Sequence, residues 1–198
     1  GSEVIGENNY ETFGHAAQLS GDGNTFVAGL NILNTSLSRI NDNGSVRVYR
    51  WDGSDWIKLG SDFVGISAND QFGGSTAISE NGNIIAVGGS RHDGLKGHVQ
   101  VYEWNGTGWA QIGGDLGGEA ANDKSGWSVS LDATGRRVAI GAPENDGNGS
   151  NSGHVRVYDW NGSTWQQLGL DIDGESSDDE FGYSVSLSSN GKRLAVGA

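Results

Sequence analysis

Three observations predict an all-β fold built from repeated four-stranded antiparallel units. The first is a phrase that occurs three times, at 44–60, 97–113 and 153–169, and reads Gly-His-Val-Arg-Val-Tyr-Asp-Trp-Asn-Gly-Ser-Thr-Trp-Gln-Gln-Leu-Gly in its last copy. Each copy is an alternating strand, an Asp-Gly or Asn-Gly turn and a second strand, which is the strongest short-range hairpin signal. The second is spacing: Tyr49, Tyr102 and Tyr158 stand 53 and 56 residues apart. In an all-β pattern that period means one small sheet per repeat. The third is composition: 35 glycines and 34% apolar residues suit thin sheets joined by tight turns better than one thick core.

The elements follow in order. Residues 1–12 match 169–180 position by position and read as a linker from a preceding repeat. An inner strand then starts at Phe13-Gly14, with equivalents at Phe72-Gly73, Ser125-Gly126 and Phe181-Gly182. Val129 and Leu131 alternate there with Ser128 and Ser130, the period-two signature of a strand. The small Ser/Ala face suits an innermost strand, where blades crowd together. Tight turns at Asp22-Gly23, Asn81-Gly82, Thr134-Gly135 and Asn190-Gly191 lead to an apolar strand such as Ile84-Ile85-Ala86-Val87. A continuous apolar run predicts burial on both faces. That strand ends in Gly-Leu-Asn at 29–31, Gly-Gly-Ser at 88–90 and Gly-Ala-Pro at 141–143. Loops of unequal length follow at 30–43, 89–96 and 142–152, and the hairpin phrase then supplies strands three and four.

The result is a single β-propeller segment over 1–198, with repeats at 13–71, 72–124 and 125–180 and a partial repeat at 181–198. Fourteen strands make about three and a half blades, whereas a closed propeller has about 4–8. Further blades are therefore expected, from the same chain or from a neighbouring one, to cover the open edge strand at 193–198. The missing initiator methionine and leader also predict a segment of a longer polypeptide. Gly-Ser at 1–2 recurs at 60–61 in the same place in the repeat, so it reads as native sequence.

Charge narrows the function classes. A net charge of −13, from 12 Lys+Arg against 25 Asp+Glu, excludes nucleic acid and anionic membrane as partners, because both need a basic footprint. No apolar run is long enough to cross a bilayer as a helix. Cysteine is absent, so there is no disulfide, thiol nucleophile or thiolate ligand; this alone does not decide the compartment. The four histidines are His15, His92, His98 and His154, and the last two share one repeat position, which points to packing rather than general-base work. No catalytic motif is present, and the expectation is a protein that is not an enzyme.

These residues resemble the FG-GAP repeat of integrin α-chain propellers and related extracellular proteins. The resemblance rests on Phe181-Gly182, on Gly141-Ala142-Pro143 and on Gly153-His154-Val155-Arg156-Val157-Tyr158. The first two repeats keep Phe-Gly and lose Gly-Ala-Pro, and the third starts with Ser125-Gly126. The family's calcium loop, Asp-x-Asp-x-Asp-Gly, is here reduced to segments such as Ser20-Gly21-Asp22-Gly23-Asn24. These offer too few oxygen ligands for calcium, and no cofactor is expected. The repeats are most similar to the Trp-rich variant found in large microbial and algal surface proteins. The resemblance implies an extracellular or cell-surface location and a role in adhesion, assembly or a surface filament.

Four candidate sites follow, three of them with two readings. The linker acids Glu11, Asp70, Asp123 and Asp179, with Asp178 beside the last, either ring one end of the propeller as cation ligands or accept hydrogen bonds from their own turns. Asp178-Asp179-Glu180 is the densest cluster. The repeated Trp51, Trp104, Trp160, Trp56, Trp109 and Trp165 either stack on sugars, as in a lectin, or wedge between blades. His15, Gly74, Trp127 and Tyr183 share one position that changes from blade to blade, as a ligand-facing position would. Sequons at Asn34, Asn43, Asn105, Asn148 and Asn161 read as glycosylation acceptors or as turn chemistry. The expected function is a non-enzymatic extracellular adhesion or structural module that binds protein or glycan partners through loops 30–43, 89–96 and 142–152. The alternative is a carbohydrate-binding propeller.

Overall fold

The computed structural model describes residues 1–6, 11–32 and 43–198. The first blade holds β1 (Glu11–Leu19), β2 (Thr25–Ile32), β3 (Ser45–Trp51), β4 (Trp56–Lys58) and β5 (Phe63–Val64). The second holds β6 (Phe72–Ile78), β7 (Ile84–Gly89), β8 (His98–Trp104), β9 (Trp109–Gln111) and β10 (Leu116–Gly117). The third holds β11 (Ser128–Leu131), β12 (Arg137–Ala142), β13 (His154–Trp160), β14 (Trp165–Gln167) and β15 (Ile172–Asp173). The inner strands β16 (Ser184–Leu187) and β17 (Leu194–Gly197) form a two-stranded sheet. The pairings between these strands are antiparallel, and the first four strands of each full blade pair in chain order, as in a partial β-propeller of three and a half blades.

Seventeen strands appear among the described residues where fourteen are expected, because the outermost strand of each blade is split in two. The cause is the glycine that closes the hairpin phrase. Gly60 turns at φ 84° and lies against Trp104 and Trp109 of the next blade, and Gly113, at φ 75°, lies against Trp160 and Trp165. The strand leaves the sheet there and returns at Phe63 or Leu116.

The core is a series of layers between blades. One joins Val27, Val46 and Val48 of the first blade to Phe72, Ile78, Ile85 and Val87 of the second. The next joins Ile84, Ala86, Val99 and Val101 to Leu131, Val138 and Ile140. A smaller one joins Ala139, Val155 and Val157 to the fourth blade. Ile85 and Val87 thus face one neighbour and Ile84 and Ala86 the other, which is why the second strand is apolar on both sides.

The repeated tryptophans pack in the same way. Trp104–Trp109 and Trp160–Trp165 are cross-strand pairs with ring centroids 5.5 and 5.3 Å apart. Trp109 Nε1 donates to the Leu59 carbonyl and Trp165 Nε1 to the Ile112 carbonyl, each at 2.9 Å and each in the preceding blade. In the third blade the equivalent surface is open: Leu168 and Ile172 are exposed, and nothing lies within 4 Å of a Cβ built on Gly169.

Candidate functional site at the channel mouth

Each linker ends in the same turn. Asn69, Asn122 and Asp178 take positive φ of 66°, 75° and 64°, which short polar side chains tolerate. The next residue caps the turn. Asp70 Oδ2 accepts the Ser67 amide at 2.6 Å, Asp123 Oδ2 the Ala120 amide at 3.0 Å, and Asp179 Oδ2 the Ser176 amide at 2.8 Å. Gln71, Lys124 and Glu180 then take φ of 52°, 56° and 52°. Their carbonyls accept the amides of Gly74, Trp127 and Tyr183, which carries that column to the inner end of the blade.

The loops after the second strands knit onto the following linkers. Asn122 and Lys124 donate their amides to Gly94 and Leu95, and Asp178 and Glu180 to Ser150 and Asn151. Loop, linker and the start of the inner strand therefore occupy one end of the molecule.

At its centre His15, Gln71, Gly74, Ser90, Arg91 and Trp127 line a cavity of about 370 Å³. It shares His15, Gly74 and Trp127 with a cleft of about 400 Å³ along the four inner strands, where Tyr183 also stands. Trp127 and Tyr183 have ring centroids 5.6 Å apart, and Lys124 Nζ sits 5.5 Å from the Trp127 ring. The Lys124 ammonium also pairs with Glu144. The structure thus brings His15, Trp127 and Tyr183 to one mouth. Ser90 and Arg91 entered the sequence reading only as part of loop 89–96 and Gln71 escaped it, because the three become neighbours only when the blades curve around an axis.

The other candidate residues are spread out. Asp123 also accepts the Asn145 amide at 3.0 Å, and Asp178 Oδ1 the Asn151 amide at 3.3 Å. Among the described residues Asp123, Asp178 and Asp179 join no converging group of metal-ligating side chains, whereas Asp70 lies with His92 and His98. Asn105 and Asn161 head exposed hairpin turns, where their Oδ1 atoms accept the amides of Thr107 and Ser163. Asn43 and Asn148 direct their amide nitrogens at the Gly65 and Gly174 carbonyls. Asn34 and most of loop 30–43 lie outside the described residues.

Behind the mouth the second blade holds a polar network. The Tyr102 hydroxyl donates to Gln100 Oε1 at 2.6 Å, and burial pushes its pKa up to about 12. Gln100 and Gln111 donate to Asp115 Oδ1 at 2.9 and 2.7 Å. Burial alone would raise the Asp115 pKa, but these bonds and His98 outweigh it and hold the carboxyl below its ordinary value. Burial, with the charge of His92 adding to it, lowers the pKa of His98.

Comparison with known proteins agrees with this geometry. Residues 117–158 match the FG-GAP repeat model, so the chain carries an FG-GAP repeat. A candidate 6-phosphogluconolactonase from Bacteroides uniformis superposes with a TM-score of 0.58 at 14% identity, over 91% of this chain and 46% of that one. Hydrazine synthase from Kuenenia stuttgartiensis superposes with a TM-score of 0.54 at 17% identity, over 91% and 57%. The chain therefore spans about half the length of these structures, and at such identities the likeness shows the propeller fold alone. No curated protein sequence matches the chain.

Proposed function

We propose that this chain is a non-enzymatic extracellular adhesion or structural-interaction module whose contact face is the loop-and-linker end. One observation carries the reading: residues that differ from blade to blade, His15, Arg91, Trp127 and Tyr183, gather at one mouth. FG-GAP repeats typically occur in extracellular proteins, and no helix among the described residues is long and apolar enough to cross a membrane. Unequal loops on a rigid scaffold are how many binding proteins separate recognition from stability. The open apolar surface at Leu168 and Ile172 suits a further blade, from this chain or a neighbouring one.

The test uses beads coated with the protein. They should adhere to one another or to a panel of immobilised glycans, and Arg91→Ala combined with Trp127→Ala should abolish adhesion while the protein still melts within several degrees of wild type. Adhesion that survives the pair of substitutions would overturn the proposal. A carbohydrate ligand is the second reading, favoured by the Trp127–Tyr183 pair beside the polar Gln71 and Arg91, because aromatic faces stack on sugar rings. Saturable binding of one glycan class, lost in Trp127→Ala alone, would select it.

A further inference from the structure

We propose that Asp70, His92 and His98 bind one divalent transition-metal ion of the zinc class at the loop-and-linker end of the second blade. The three come from the linker, the turn at His92–Leu95 and the first residue of β8. Their candidate ligand atoms all lie within 4.8 Å of one another.

His98 carries the argument. It is buried, and its Nδ1 stands 3.3 Å from Asp115 Oδ2. The ionised Asp115 fixes the hydrogen on Nδ1 and leaves the lone pair on Nε2, the arrangement in which a carboxylate orients a metal-binding imidazole. Nε2 is itself buried and has no hydrogen-bond partner. A buried acceptor without a donor is costly, and a cation would satisfy it. Asp70 is buried too, with Oδ2 held by the Ser67 amide and Oδ1 3.1 Å from His92 Nδ1.

The other blades show what a purely structural version looks like. In the third blade Asn145 stands where His92 does and satisfies Asp123 with its amide. There Arg156 pairs with both Asp171 and Glu119, so the acids beside His154 already have a cation. In the first blade Arg47 pairs with Asp62. The second blade has Gln100 at that position, and among the described residues no arginine or lysine pairs with Asp70 or Asp115. Two imidazoles and one carboxylate suit zinc, nickel or copper, whereas calcium takes six or more oxygens, on the order of 6–8. The His92 and His98 rings stack 4.1 Å apart and 11° from parallel. An ion in the plane of both rings requires His92, whose side chain is 25% exposed, to rotate toward it.

The experiment is calorimetric titration of untagged, chelator-stripped protein with Zn²⁺ and, for the visible spectrum, Co²⁺. One equivalent of Zn²⁺ should bind with micromolar affinity or better. His92→Asn, which installs the side chain of the third blade, should weaken binding more than about 10-fold while leaving the metal-free melting temperature unchanged. Asp115→Asn should weaken it by about 10- to 100-fold and shift the Co²⁺ bands, as expected of a positioning residue. Glu119→Gln should change nothing. No saturable binding up to millimolar Zn²⁺, unchanged affinity in His92→Asn, or loss of binding in Glu119→Gln would each overturn the proposal.

Discussion

At the turn end of the blades the same bonds recur with exchanged residues. Ser20, Ser79 and Ser188 donate their hydroxyls to Asp22, Asn81 and Asn190 at 2.6, 3.0 and 2.9 Å. In the third blade Asp132 takes the serine position, and Thr134 donates to it at 2.8 Å. In all four, the same side chain accepts the amide five residues on, at 3.0 to 3.1 Å. At the loop end the positions align and the chemistry does not: His92 answers to Asn145, Arg91 to Glu144, Gln100 to Arg156, and His15 to Gly74, Trp127 and Tyr183. The turn end and the layers between blades repeat a solution to packing. The loop end gives each blade its own polar surface on the same frame.

The largest effect tests the frame. A Cβ on Gly88 would sit 2.2 Å from the Gly126 carbonyl oxygen and 2.3 Å from Ser75 Oγ, and one on Gly141 would sit 2.0 Å from the Gly182 oxygen. Those carbonyls also accept Ser75 and Ser128 hydroxyls at 2.7 Å, so they are held in place. Gly88→Ala should therefore lower stability by about 3 kcal/mol, read from the urea midpoint. Gly108→Ala, where nothing lies within 4 Å, should stay within about 0.5 kcal/mol. Equal effects at the two positions would break the comparison.

Trp165→Ala comes next. It removes a half-buried wedge and orphans the Ile112 carbonyl, which should cost about 2–3 kcal/mol, below the value for a fully buried tryptophan. Trp165→Phe isolates the lost N–H and should cost about 1 kcal/mol. A negligible loss in the alanine variant would mean that the repeated tryptophans are not the contacts that hold blades together.

The frame was legible in the sequence because packing and turn chemistry are local or periodic. Phe-Gly, Gly-Ala-Pro and the Asn-Gly hairpins each report on a strand, a bulge or a turn a few residues long, and repetition multiplied the signal. The split of the outermost strand was not legible, since only the structure shows that Gly60, Gly113 and Gly169, which close the three hairpin phrases, turn at positive φ of 84°, 75° and 78°. The column His15, Trp127, Tyr183 could be aligned and so could be named. Arg91 and the Asp70–His92–His98 group join residues from different connections, and their proximity comes from the register of loop on linker. Aligning His92 with Asn145 was the available signal for that group, because both stand 22 residues after a linker aspartate.

A smaller effect separates buried imidazole from hydrogen-bonded carboxylate. Burial lowers the His154 pKa against the opposing pull of Asp171, Asp123 and Asp173. An unfolded histidine titrates near about 6.5, so as pH falls through that value the unfolded chain takes up a proton that the folded one refuses. Stability should be full above about pH 6.5 and fall below it, with a slope of at most about 1.4 kcal/mol per pH unit for this group. The slope ends once the folded imidazole is also protonated. Asp62 and Asp115, whose pKa values are lowered, keep their contribution there and lose it only below the ordinary carboxylate range. Urea titrations of wild type and His154→Gln in the presence of chelator should differ in slope between neutral pH and the carboxylate range; identical slopes would remove His154 as the source.

A small stability effect is expected where the functional effect is greatest. Trp127 packs against Tyr183 and beneath Lys124, but it belongs to none of the apolar layers between blades. Removing its ring forfeits one aromatic pair and one half-buried cation–π contact, together about 1–2 kcal/mol. Trp127→Ala should thus melt within several degrees of wild type while bead adhesion or glycan binding disappears. Trp165→Ala, at the outer half of the same blade, should do the reverse at temperatures where it remains folded: lower stability with binding intact. If both tryptophans moved stability and binding together, the mouth would be part of the frame, and the division between a repeated scaffold and a variable contact face would fail.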